Sequence, residues 1–259
     1  MSDQVFLERD GAIATVVLNQ PERFNAMNKG MFQGLTRVFK ECDADTKLRC
    51  VIIRGEGGKA FSAGADISEF ETDRSSSKMA RAYAVHFHAG ANAVGHCIHP
   101  VIAQIYGACI GGDLAVATLC DYRICGQSSR FGVPVKRLGL VEAHAEMAPL
   151  VHKFGANIAL EILLLGDVFG VQDAMRMGLI NRVVDDSIVG AETRATAEKI
   201  AEGAPLSARW HKKFIYRLLD PTPLTDAEID EGFDCYDTED FQTGYKAFLE
   251  KKSPTFEGR

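Results

Sequence analysis

Val101-Ile102-Ala103-Gln104-Ile105-Tyr106, the turn residues Gly107 and Ile110-Gly111-Gly112-Asp113, the run Leu114 to Leu119, and Tyr122-Arg123-Ile124-Cys125 together decide the fold class. A continuous apolar, β-branched run reads as a buried strand. The small-residue turn ends it, and the apolar stretch beyond is a helix that leads to the next strand. The same order stands upstream. Cys50-Val51-Ile52-Ile53-Arg54 is an apolar strand ended by Gly55-Glu56-Gly57-Gly58, and Ala60-Phe61-Ser62-Ala63-Gly64-Ala65-Asp66 turns into a short helix from about Asp66. Repeated strand, turn and helix predict an α/β architecture with parallel crossovers.

Outward from these units, Ile13 to Leu18 is a β-branched strand broken by Asn19-Gln20-Pro21-Glu22. Helical spacing runs from Met27 to Cys42, with Met31, Leu35, Val38 and Phe39 on one side. A longer helix is predicted over residues 78–98, with Met79, Ala82, Val85, Ala89 and Ala93 as its apolar face and Pro100 as its stop. Helical segments at 143–154, 156–164 and 171–178 follow, with Gly155, Gly166 and Gly178 as stops. From about residue 190 the pattern is almost wholly helical, with boundaries at Pro205, Pro221 and Pro223. We place the change of architecture near residue 195, between a core of residues 1–195 and a C-terminal helical segment of residues 196–259.

The 259 residues can bury a full core, and 46% hydrophobic with 25% charged residues is a globular composition. No apolar run approaches the roughly 20 residues needed to span a bilayer. The start, Met1 to Glu8, is acidic rather than basic, which argues against a targeting peptide. Seven cysteines lack the paired spacing of zinc or redox sites and read as small apolar residues in a reducing, cytoplasmic setting. His86 and His88 diverge by about 200° on a helix, a poor chelate, so no metal is expected. A net charge of −6 opposes nucleic-acid binding.

The two turns at 60–66 and 110–113 point to chemistry. A helix N-terminus leaves about four amides without intrahelical partners and carries partial positive charge. Gly and Ala there let a ligand approach the main chain. If the turns converge, one amide from each can clamp a carbonyl that becomes an oxyanion or enolate; if not, they are two ordinary connections.

Further segments extend the pattern: Pro21-Glu22-Arg23-Phe24-Asn25-Ala26-Met27, Phe131-Gly132-Val133-Pro134, Leu138-Gly139-Leu140, Ala174-Met175-Arg176-Met177-Gly178-Leu179-Ile180-Asn181-Arg182-Val183-Val184, and Phe248-Leu249-Glu250-Lys251-Lys252. With both turns, their order and spacing resemble the crotonase, or enoyl-CoA hydratase/isomerase, superfamily over nearly the whole chain. The resemblance implies a spiral of ββα units with a helical C-terminal trimerisation segment, assembled as a homotrimer or dimer of trimers. It implies an acyl-CoA substrate, with CoA as part of that substrate and no separate cofactor. By position, the oxyanion donors fall on the amides of Ala65 and Gly112. Arg23 matches the place of a CoA-phosphate contact, and Ala63, Asp66 and Ile67 the place where backbone holds the adenine and pantetheine part. Phe248 and Lys251 match C-terminal residues that cover CoA, often from a neighbouring subunit.

The chain also departs from the family pattern. Hydratases of this family use two glutamates, one after the second turn and one after the proline, but these positions are Ala115 and Val135. The best candidate acid/base is Glu142, which can equally be a carboxylate at a helix start, with His86 or Tyr83 of the long helix as further candidates to face substrate. Fewer acids suit isomerisation or decarboxylation, or a thioester-binding protein without turnover. Asp113 reads as a helix first-turn residue, and Glu146 as a pocket wall or solvated side. Ser62 has no His or Asp partner at a recognisable spacing, which excludes a serine hydrolase.

Overall fold

The computed structural model describes residues 3–259, so Met1 and Ser2 of the acidic start lie outside the described residues. A hairpin of β1 (Val5–Asp10) and β2 (Ile13–Leu18) precedes α1 (Lys29–Ala44). Three strand pairs follow, each ending in helix. β3 (Cys50–Gly55) and β4 (Ala60–Ser62) lead to α2 (Phe70–Asp73) and α3 (Ser77–Gly95). β5 (Val101–Ile105) and β6 (Ala108–Ile110) lead to α4 (Gly112–Leu119), and β7 (Tyr122–Gly126) and β8 (Arg130–Gly132) to α5 (His144–Leu165). Then come α6 (Val171–Arg176), β9 (Arg182–Val184), α7 (Val189–Ala201), α8 (Pro205–Arg217), α9 (Asp226–Glu231) and α10 (Glu239–Leu249).

The first strand of each pair joins a six-stranded sheet in the order β1-β2-β3-β5-β7-β9, and the second joins a three-stranded sheet, β4-β6-β8. Apart from the β1-β2 hairpin all neighbours are parallel, which is why helical crossovers separate them. This is the expected spiral of ββα units. Both faces of the large sheet are covered, consistent with strands that read as continuous apolar runs. Val51, Ile53, Val101 and Ala103 pack with α1 and α3, whereas Ile13, Ile52, Ile102 and Ile124 pack with Ala197 of α7. α7 therefore runs through residue 195 as a cover of the sheet, and the change of architecture placed there falls inside a helix.

Two helices differ from their sequence reading. α1 buries Met31, Leu35, Val38 and Phe39 as expected. α3 does not bury the face Met79, Ala82, Val85, Ala89 and Ala93; its buried residues are Tyr83, Phe87, Gly90, Ala91 and Val94, and Val85 is 64% exposed. Aromatic bulk decides this, because Phe87 meets Phe32 of α1 edge to face while Gly90 lets the helices close on the Phe32 backbone. The segments read as 143–154 and 156–164 form one helix, α5, with a non-helical residue at Gly155. Its 22 residues are long and apolar enough to cross a membrane by length and composition, unlike the sequence expectation. Here it buries Leu150, Ala159 and Ile162 against the core.

The C-terminal helices are anchored through charge. Lys153 of α5 donates to the carbonyls of Thr118 and Cys120 at the end of α4, at 2.6 and 3.1 Å, and to the Tyr216 hydroxyl of α8 at 2.8 Å. Tyr216 donates to Asp121 at 2.8 Å, and Lys212 pairs with the same carboxylate at 2.7 Å. A cation at a helix C-terminus is favourable, so Lys153 supports the helix whose other end faces the site.

Candidate active site

The parallel pairing of β4 with β6, Ala60 opposite Ala108 and Ser62 opposite Cys109, carries the two small-residue turns to the same place. They meet closely. A Cβ built on Gly111 would lie 3.5 Å from the Gly64 Cα, and one on Gly64 would lie 3.4 Å from the Ile110 carbonyl oxygen. Both glycines take positive φ, 108° at Gly64 and 67° at Gly111, a conformation side chains resist. The turns thus converge. The amides of Ala65 and Gly112 donate to no acceptor among the described residues, and Gly112 is the first residue of α4, where free amides and the helix dipole coincide.

A loop from residues 20–27 fixes the first turn. Met27 accepts from the Asp66 amide at 2.9 Å and donates to the Gly64 carbonyl at 2.8 Å, and the Ala63 amide donates to Phe24 at 3.0 Å. Asn25, with left-handed φ and no exposure, is the centre of this loop. Its Oδ1 accepts from the Gln20 amide at 3.0 Å, while its Nδ2 donates to the carbonyls of Glu56 and Ala60 at 3.0 and 2.9 Å. Sequence reasoning missed this role, although an asparagine suits a left-handed turn position. Asn25→Ala orphans two buried backbone groups and one part-buried one, and we expect about 2–4 kcal/mol lower stability in a urea titration, with the melting point down by about 4–12 °C.

Asp113 is fully buried rather than a simple first-turn residue, and it is the partner that spacing failed to supply for Ser62: its carboxyl hydrogen-bonds the Ser62 hydroxyl. No His joins them in that contact, so a serine-hydrolase triad is absent from it. Arg23 pairs with Asp66, whose other oxygen caps the Ser68 amide at 3.0 Å. Since the amides of Ala63 and Asp66 are engaged internally, a ligand here would meet the Ala63 carbonyl, the Arg23 guanidinium and the half-exposed Ile67 side chain. Phe248 and Lys251 sit at the far end of the chain on and after α10, with Phe248 82% exposed, and this chain does not bring them onto the two turns.

Glu142 lies just before α5 and lines a narrow cavity together with Gly111, Ala115, Val133 and Glu146. Burial pushes its carboxyl well above the usual range, helped by a hydrogen bond with Glu146 and by that residue's charge. Glu146 also accepts from the Ala143 amide at 2.7 Å, closing the start of α5. His88 of α3 places Nε2 3.6 Å from Glu146 and leaves it without a hydrogen bond. The structure therefore joins Glu146 and His88 to Glu142. Their i, i+4 spacing was the only signal available for the carboxyl pair. His144, between the two carboxylates in sequence, is exposed. A larger cavity of about 1030 Å³ between α3, α5 and α8 shares no residue with either turn.

Comparison with known proteins decides the family. The family model described as enoyl-CoA hydratase/isomerase matches residues 8–259. The chain belongs to the enoyl-CoA hydratase/isomerase family. It is 30% identical to a short-chain-enoyl-CoA hydratase of Clostridium acetobutylicum over 96% of both chains. It is also 30% identical to an (E)-benzylidenesuccinyl-CoA hydratase of Thauera aromatica, over 98% of this chain and 99% of that one. A crystal structure of an enoyl-CoA hydratase/carnithine racemase from Magnetospirillum magneticum superposes with a TM-score of 0.98 at 45% identity, covering 100% of this chain and 97% of the other. As a member of the enoyl-CoA hydratase/isomerase family, the chain is read as an enzyme with the crotonase fold.

Proposed function

We propose that this enoyl-CoA hydratase/isomerase family member hydrates a 2-enoyl-CoA thioester through an enolate held by the amides of Ala65 and Gly112. The supporting observation is that Glu142 and Glu146 line one cavity with Gly111 and with Ala115, the position the family pattern gives to a glutamate. Carboxyls from the start of α5 thus occupy the neighbourhood that Ala115 leaves empty. One proton shared by the pair supplies a carboxylate and a carboxylic acid together. The carboxylate takes a proton from water as its oxygen attacks the β carbon. The electron pair of the double bond moves onto the thioester oxygen, where two amide donors hold it, and the carboxylic acid then protonates the α carbon. In this reading Arg23 and the Ala63 carbonyl meet CoA, and Phe248 and Lys251 cover it from a neighbouring subunit of a homotrimer or dimer of trimers.

Crotonyl-CoA tests this directly. Hydration is expected as loss of the enoyl absorbance with formation of 3-hydroxybutyryl-CoA. The rate is expected to fall above about pH 8, where the pair loses its shared proton. Conversion of 3-enoyl-CoA to the 2-enoyl form without hydration would select isomerisation, the one-carboxyl reading that the replaced glutamates favour. Tight CoA binding with turnover of neither thioester would sink the enzymatic reading.

A further inference from the structure

Beneath the two turns, the Ser62 hydroxyl oxygen meets the Asn25 carbonyl at 2.7 Å, the Gly64 amide at 3.3 Å and the Asp113 carboxyl. A hydroxyl owns one proton and two lone pairs. The Asn25 carbonyl can only accept and the Gly64 amide can only donate, so they take the serine proton and one lone pair. What remains for Asp113 is the second lone pair, which a carboxyl fills only by donating a proton of its own. An ionised Asp113 would leave two acceptors competing for one hydrogen. It would also be a carboxylate at 1% exposure with no cation acting on it. Burial pushes this carboxyl up to about 7, outweighing the Gly64 amide and the Ser62 hydroxyl, whose pull toward ionisation holds only where Ser62 turns its proton from Asn25 to Asp113.

We propose that Asp113 is a positioning residue that, as the neutral acid, donates to Ser62 and ties the first turn to the second. Ser62 ends β4, and Asp113 directly follows Gly112, so the bond holds the two amide donors in register. Neutrality matters as much as the tie, because a carboxylate one residue from Gly112 would oppose the charge forming on the thioester oxygen. The titratable groups around it do not supply a counter-charge. Cys109 of β6 is held as a thiol by burial, Tyr83 of α3 donates to Glu69 at 2.8 Å, and Glu142 is itself a raised acid. This inference deepens the enolate reading and rests on it.

Infrared difference spectra of the wild type minus Asp113→Asn, taken at about pH 6, test the proton without requiring turnover. The expected signal is the C=O stretch of one protonated carboxyl. Carboxylate bands in its place overturn the proposal, whatever reaction the protein performs. With crotonyl-CoA, Asp113→Ala is expected to lower kcat about 10–100-fold with KM within about threefold, and Asp113→Asn, whose amide can donate to Ser62, to restore most of that loss. An Asn variant as slow as the Ala variant, with both melting like the wild type, would also overturn it.

Discussion

Gly112→Pro lowers kcat on crotonyl-CoA by about 10²–10³, whereas Gly112→Ala stays within about tenfold of the wild type. The pair separates an amide from the space around it. Proline is favoured at the first position of a helix, and Gly112 occupies that position in α4, so the helix keeps its start while one donor disappears. Gly111 before it has an extended ψ of −146°, which a following proline accepts. Both variants add a Cβ about 3.1 Å from Phe87 Cε2, so the alanine carries the steric cost without losing the donor. Steady-state kinetics with thermal melting checks the result. Equal losses in the two variants would remove the Gly112 amide from the mechanism.

Glu142→Gln is expected to cost about 10²–10⁴ in kcat with KM little changed, because it removes one of the two proton-exchanging carboxyls and keeps its shape. Stability separates this from misfolding. The wild-type carboxyl is raised from 4.5 to about 8 on folding, so its contribution is complete below 4.5 and is lost as pH rises through about 8. Glutamine has no such titration. Melting temperatures should therefore fall less for the variant than for the wild type across that interval, while its activity stays low throughout. A variant that keeps wild-type kcat would return Glu142 to the role of a helix-start carboxylate.

Strands β2, β3, β5 and β7 and the buried face of α1 were legible because each depends on short-range periodicity and on residues that stop it, whereas the short β4 and β6 lie in stretches that read as turns. Gly155 was legible as a helix interruption for the same reason. The buried face of α3 was not, since two apolar stripes were available and only the fit of Phe87 and Gly90 against Phe32 selects one. Asn25 gave no sign of holding backbone from two other segments, because its partners Glu56 and Ala60 lie more than thirty residues away. Ser62 and Asp113 are 51 residues apart, and no spacing rule connects them.

By itself the sequence determined the alternation of apolar strands, small-residue turns and amphipathic helices, and with it the two amide-rich helix starts. Tertiary structure decided what those starts do. The parallel register of β4 on β6 brings Gly64 beside Gly111, sets Asp113 under Ser62, and leaves the amides of Ala65 and Gly112 without partners among the described residues. Packing of α5 against α4 brings Glu142 and Glu146 to the same cavity. Local periodicity is written in neighbouring residues, but a site is made by contacts across crossovers, where strand register and side-chain volume select the partners.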